Sequence, residues 1–166
     1  MKKIIVIGCP GSGKTTLSIE LAKKLNLPLV HLDSLRWRDN WVPVAREEFD
    51  KAVVAAMEKP EWIIDGNYNR TIPLRLSYCD TVVFLDFPTV VSFGSAVKRL
   101  ATGYGKSRPE FGGECPQRVD PKFFDFILKF NRKHRRKYYE LFKKYPNVEV
   151  IVLKNRKQVS AFLDSL

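Results

Sequence analysis

Cysteine is scarce in this chain: Cys9, Cys79 and Cys115 are the only three in 166 residues, and no two share a Cys-x-x-Cys spacing. The two histidines, His31 and His134, have no second ligand near them in sequence. These absences argue against a disulfide framework or a zinc site and leave the cysteines as reduced packing residues. Apolar runs end after about five or six residues, far below the ~20 that cross a bilayer, so no membrane partner is expected. The basic start is followed by an apolar stretch soon broken at Gly8 and Pro10, which does not suit a signal peptide; the cytoplasm is the expected location. Repeats, low-complexity tracts and linkers are also missing, and residues 1–166 are expected to form one domain.

What the chain does have is positive charge, unevenly placed. The net charge is +11, and residues 98–144 hold fourteen Lys or Arg against five Asp or Glu, a net of +9. Such a segment suits a polyanion, whether nucleic acid, a nucleotide's phosphates or an acidic membrane surface. Charge alone does not choose between them, and no feature fixes the oligomeric state.

Five short runs rich in Ile and Val predict strands over Lys3–Ile7, Leu29–Leu32, Trp62–Ile64, Thr81–Leu85 and Val148–Leu153. They lack clean alternation, as strands buried on both faces do. Helical spacing predicts helices over 14–25, 46–58, 88 to about 100, 121–145 and 157–166. Asp120 before Pro121 fits an N-cap. Strands alternating with helices imply parallel crossovers and a doubly wound α/β domain. The stretch 103–120 holds four glycines and two prolines and is expected to be a mobile loop.

The most informative stretch runs from Gly8 to Thr15, "GCPGSGKT", which fits G-x-x-x-x-G-K-[ST] between a predicted strand and a predicted helix. Glycines there let the backbone turn N–H groups toward an anion, and the helix start adds its positive end. The expected nucleotide-binding set is Gly8, Pro10, Gly11, Ser12, Gly13, Lys14, Thr15 and Thr16. Lys14 would reach the β- and γ-phosphates, and the Thr15 hydroxyl would ligate Mg²⁺. No Asn-Lys-x-Asp occurs, which favours ATP over GTP. A strand-end carboxylate should complete the metal site, and Asp65 and Asp86 both end predicted strands.

The stretches "IIVIGCPGSGKTTL", "LVHLDSLRW", "WIIDGNYNRT", "DTVVFLDFP" and "RPEFGGECPQRVD" resemble the P-loop kinases of the adenylate kinase type. Within that group they are similar to the DNA topology modulation protein FlaR-related family. The kinase resemblance implies a five-stranded parallel sheet of order 2-3-1-4-5, with strand 3 beside the P-loop strand, which favours Asp65 as the metal carboxylate. It also implies that 103–120 is a closing lid whose Arg108 and Arg118 neutralise the phosphoryl group in transit. Arg99 resembles an adenine-stacking arginine, and Arg132, Arg135 and Arg136 resemble the post-lid arginines. The "DGNYNR" stretch has one residue more than the kinases' Asp-Gly-x-x-Arg before Arg70.

The acceptor is expected near Asp33, Arg36, Trp37, Asp65, Asn67 and Arg70. Asp33 reads as a general base for a hydroxyl acceptor or as a helix N-cap. Arg36, Arg38 and Arg46 read as an anion clamp or as solvated surface charge, and Trp37 and Trp41 as stacking platforms or as cover for the core edge. His31 is expected to pack under its strand. The leading expectation is ATP- and Mg²⁺-dependent phosphoryl transfer to a small molecule. The alternative is a nucleic-acid-binding protein whose nucleotide site is regulatory or vestigial.

Overall fold

Burial decides the order of the strands. Three of the five, Lys3–Gly8, Trp62–Asp65 and Thr81–Leu85, are apolar and closed to solvent over most of their length, so they lie inside a sheet covered on both faces, and the two partly buried ones stand at its edges. A computed structural model describes residues 1–166. Strands β1 (Lys3–Gly8), β2 (Leu29–His31), β3 (Trp62–Asp65), β4 (Thr81–Leu85) and β5 (Glu149–Leu153) form one parallel sheet of order β2-β3-β1-β4-β5. This is the predicted order.

Alternate residues of β1 feed two cores. Ile4 and Val6 join Leu17 and Leu21 of α1 (Lys14–Leu25) and partly buried residues of α8 (Arg156–Asp164). Ile5 and Ile7 join Phe49, Val53 and Met57 of α3 (Arg46–Met57) and the helices after residue 121 on the opposite face. The result is a three-layer α/β domain. No helix is long and apolar enough to cross a membrane.

The remaining α-helices are α2 (Leu32–Arg36), α4 (Ile72–Tyr78), α5 (Thr89–Gly103), α6 (Pro121–Phe130) and α7 (Arg136–Phe142). The helix expected over 121–145 is divided by a π segment at Asn131–Arg135 and ends at Phe142. A π turn resets helical phase. Here Phe130, His134, Tyr138 and Phe142 succeed one another at ring distances of 5.1, 6.2 and 6.3 Å. Asp120 caps α6, its carboxylate accepting from the Lys122 and Phe123 amides.

Helix α4 went unpredicted, and it carries a fully buried arginine. Arg75 donates to the Gly66 carbonyl at 2.9 Å, to the Asn67 carbonyl, and to the Thr71 hydroxyl at 3.2 Å. Burial lowers its guanidinium to about 10, still charged at neutral pH. The chain leaving β3 toward the cleft therefore rests on one side chain. Arg75→Met would leave two enclosed carbonyls without donors, each costing roughly 1–3 kcal/mol. The expected loss is about 2–6 kcal/mol, seen in thermal denaturation as a fall of about 4–24 °C in Tm.

Candidate active site

The loop between β1 and α1 turns through three glycines with positive φ: Gly8 (152°), Gly11 (85°) and Gly13 (96°). Space as well as torsion demands glycine at the first two. A Cβ at Gly8 would lie 2.7 Å from the Leu85 carbonyl oxygen, and one at Gly11 would overlap that of Ser92. Gly13 opens α1 without a side-chain cap, so the first-turn N–H groups are open to an anion. Lys14 Nζ folds back 3.2 Å from the Cys9 carbonyl, and desolvation lowers its pKa against the pull of Asp65 and Asp33. The glycine cradle, open amides and enclosed lysine fit a nucleotide's phosphates.

The loop is braced from β3. Asn67 accepts from the Gly8 N–H at 3.1 Å and donates to the Gly8 carbonyl at 2.9 Å. Its amide was expected on the acceptor; although Asn67 lines the cavity, that amide is committed to Gly8.

Parallel pairing of β2 with β3 sets His31 beside Asp65. One Asp65 carboxylate oxygen accepts from the Thr15 hydroxyl at 3.2 Å and lies 3.1 Å from His31 Nδ1. The other is buried without a partner. A hydroxyl beside a carboxylate with an unused oxygen suits Mg²⁺, which takes oxygen ligands and keeps several waters. His31 thus faces the site and is not packed beneath its strand, contrary to expectation. Asp86, the alternative metal carboxylate, is bound by Arg135 Nε at 3.0 Å and the Tyr139 hydroxyl at 2.7 Å, and does not line the cavity.

Asp33 is not an N-cap. His31 holds the cap position of α2 and Asp33 lies inside the helix, its carboxylate accepting from the Tyr68 hydroxyl at 2.7 Å. Desolvation raises the Asp33 pKa above the usual carboxylate range, against that hydrogen bond. Trp37 and Trp41 line the same space, edge to face at 5.8 Å, with Phe111 4.8 Å beyond Trp41.

The 103–120 segment, expected to be a mobile loop, is seated on the rest of the molecule in this conformation. Gly105 N–H donates to Gln117 O at 2.8 Å, and Asn40 N–H donates to Glu114 O at 2.8 Å. Trp41 Nε1 donates to the Pro116 carbonyl at 2.9 Å, and Cys115 is buried. Gly112 lies so close to the Ser34 carbonyl that a Cβ would overlap it. Glycine at 112 and 113 lets this segment approach the backbone of Ser34 and Asp39 closely, which composition alone does not reveal.

One cavity of about 1020 Å³ connects these parts, running past Lys14, Thr15, Asp65, Asp33, Arg108 and Trp41. Arg99 and Arg118 also line it, with Arg99 6.0 Å from the Phe123 ring centre. Arg108 pairs with Glu110 at 2.7 Å and lies 4.5 Å from the Phe111 ring centre. Arg156, at the start of α8, lines the cavity beside Gly13 and was not foreseen; nothing in its sequence surroundings marks it.

Five predicted arginines are elsewhere. Arg36 donates to the Val44 carbonyl at 2.6 Å, and Arg70 pairs with Asp50 on the surface. Arg135 is held by Asp86, Arg136 is exposed and paired with Glu140, and Arg132 is exposed. None of the five lines the cavity. The reset of helical phase at Asn131–Arg135 occurs within the arginine run itself, so simple spacing could not assign its face.

The family model described as AAA, ATPase family associated with various cellular activities, matches residues 4–86. Among curated proteins, none matches the chain in sequence. Shikimate kinase from Bacteroides thetaiotaomicron superposes with a TM-score of 0.57 at 18% identity, covering 98% of this chain and 94% of that one. Shikimate kinase from Acinetobacter baumannii, solved in complex with shikimate, gives 0.58 at 14% identity over 99% and 90%. An uncharacterized protein from Eubacterium ventriosum gives 0.53 at 20% over 99% and 96%. At these identities the likeness establishes a shared fold.

Proposed function

We propose that this chain, which belongs to the ATPase family associated with various cellular activities (AAA), transfers the γ-phosphoryl group of ATP to a small-molecule hydroxyl. The observation that carries the reading is the single cavity joining the Lys14 and Thr15 end of the phosphate loop to the Asp33 carboxylate. Asp33 lies within electrostatic reach of Lys14 and Asp65, where a carboxylate can take the proton of an attacking hydroxyl.

Each side chain has a task in this reading. The first-turn amides of α1 and Lys14 hold the phosphates and stabilise charge on the γ-group. Thr15 and Asp65 would hold Mg²⁺, which when bound neutralises phosphate oxygens. His31 fixes the Asp65 carboxylate from the other side. Asp33 takes the acceptor's proton, and Tyr68 orients it. Arg108 and Arg118 neutralise the group in flight, while Arg99 and Arg156 flank the nucleotide base. Residues 103–120 act as a lid that excludes water. The finer kinship with the FlaR-related family rests on the sequence stretches alone.

The test is a phosphoryl-transfer screen with ATP·Mg²⁺ against pooled small molecules, with ATP hydrolysis as the control. Transfer into a soluble acceptor is expected, and hydrolysis without transfer would refute it. A specific observation favours a second reading, duplex-DNA binding: Arg132, Lys133, Arg136 and Lys137 are exposed outside the cavity. It predicts an affinity that falls steeply with salt and is weakened by neutralising these residues. Titration at low and physiological salt checks both.

A further inference from the structure

We propose that the acceptor is an uncharged ring compound bearing a free hydroxyl, a class that includes sugars, cyclic polyols and nucleosides and excludes phosphate and carboxylate acceptors. The inference rests on the kinase reading and adds the chemistry of its second substrate.

An anionic acceptor needs an available cation on the acceptor wall. The arginines nearest in sequence are engaged elsewhere. Arg36 is turned onto the Val44 carbonyl, Arg38 pairs with Glu48, and Arg70 pairs with Asp50 at the surface. Arg75 is buried beneath the Gly66 and Asn67 carbonyls. Lys14, Arg99, Arg118 and Arg156 also line the cavity and serve the nucleotide and the phosphoryl group in the kinase reading, while Arg108, beside Asp33, is paired with Glu110 and lies against Phe111. With those cations given to ATP, the groups left for the acceptor are Asp33, the Arg108–Glu110 pair and the rings of Trp37, Trp41 and Phe111. A carboxylate at Asp33 repels a second anion and accepts a hydrogen bond from a hydroxyl.

The aromatic wall supplies the rest of the recognition. Trp41 has φ of 63° and its neighbour Asn40 has φ of 58°. A bulky residue in that region carries strain and persists only where its surroundings hold it. Trp41 is held by its Nε1–H bond to Pro116 O, by Phe111 and by Trp37. With the indole N–H already used, the ring offers the cavity an apolar surface. Such a wall suits the apolar face of a ring whose edge carries hydroxyls. In the transfer, the acceptor oxygen bonds to the γ-phosphorus as that atom's bond to the bridging oxygen breaks. The electron pair leaves on ADP, and the hydroxyl proton passes to Asp33.

The experiment offers ATP·Mg²⁺ and the full chain three pools: monosaccharides with cyclic polyols, nucleosides, and anions comprising nucleoside monophosphates and hydroxy acids, shikimate included. Products are read by mass spectrometry. One neutral pool is expected to give product at least about 100-fold faster than the anionic pool, the two neutral arms separating sugar from nucleoside. Trp41→Ala should then raise KM for that acceptor about tenfold with a smaller change in kcat, and Trp41→Phe should recover most of it. Faster turnover of the anionic pool, or transfer to none of the three while ATP is still bound, overturns the proposal and leaves nucleotide binding standing. Failure to bind ATP at all, read by calorimetry, overturns the kinase reading itself and the proposal with it.

Discussion

Lys14→Ala is expected to lower phosphoryl transfer about 10²–10³-fold while the protein stays folded. Lys14 is enclosed at the mouth of α1, and its side chain reaches only the Cys9 carbonyl. Its ammonium is thus available to charge that grows on the γ-phosphoryl oxygens during transfer. Desolvation lowers its pKa, so between the folded and unfolded values the unfolded chain binds more protons and stability rises with pH. Below that window the burial cost is fully present. At neutral pH, therefore, removing the charge should leave Tm unchanged or raise it. Initial rates with circular dichroism melts separate the two effects. A variant that keeps full activity, or one inactive because it is unfolded, would contradict the role given to Lys14.

Asp33→Asn should cost about 10²–10⁴-fold in kcat, the usual worth of a positioned base, with a smaller change in KM for ATP. The side chain keeps its shape and an oxygen that can still accept from Tyr68, so folding is preserved. Its pKa is raised in the folded state, first by desolvation and further by Asp65. Between the unfolded and the raised folded value the folded chain binds more protons, so stability falls as pH rises through that window. Asparagine mimics the protonated form and does not pay this penalty. Asp33→Asn should accordingly melt higher than wild type at pH 7–8, the gain shrinking as pH falls through the window. The wild-type rate should rise with pH over the same interval as the carboxylate ionises. Unchanged activity with a lower Tm would make Asp33 a structural residue.

The strands and the phosphate loop were legible in the sequence because each rests on local signals, whereas the order of the strands came from the resemblance to the P-loop kinases. Continuous apolar runs mark doubly covered strands, and glycine spacing marks a backbone that must turn with positive φ. Pairing of Thr15 with Asp65 followed from the strand order. The acceptor side was less legible because its geometry depends on contacts distant in sequence. Asp33 before Ser-Leu-Arg looks like a cap, but α2 begins two residues earlier than that cap would have it, with His31 in the cap position, and the Asp33 carboxylate lines the cleft. Arg36 read as an anion clamp or as surface charge and Arg70 as an acceptor-side residue, but Val44 and Asp50 on neighbouring segments take their guanidinium groups. Short helix α4 has too little periodicity to declare itself, and with it Arg75 went unseen. The 103–120 segment owes its order to the backbone of residues 34–41, a partner that no window along the chain includes.

The most direct measurement follows the γ-phosphate of labelled ATP in the presence of Mg²⁺ and pooled ring alcohols, for wild type and Lys14→Ala side by side. Label should appear in an organic product with wild type and be about 10²–10³-fold slower to appear with the variant. Label found only as inorganic phosphate, or transferred equally well by both proteins, would contradict phosphoryl transfer from this loop to an acceptor at Asp33.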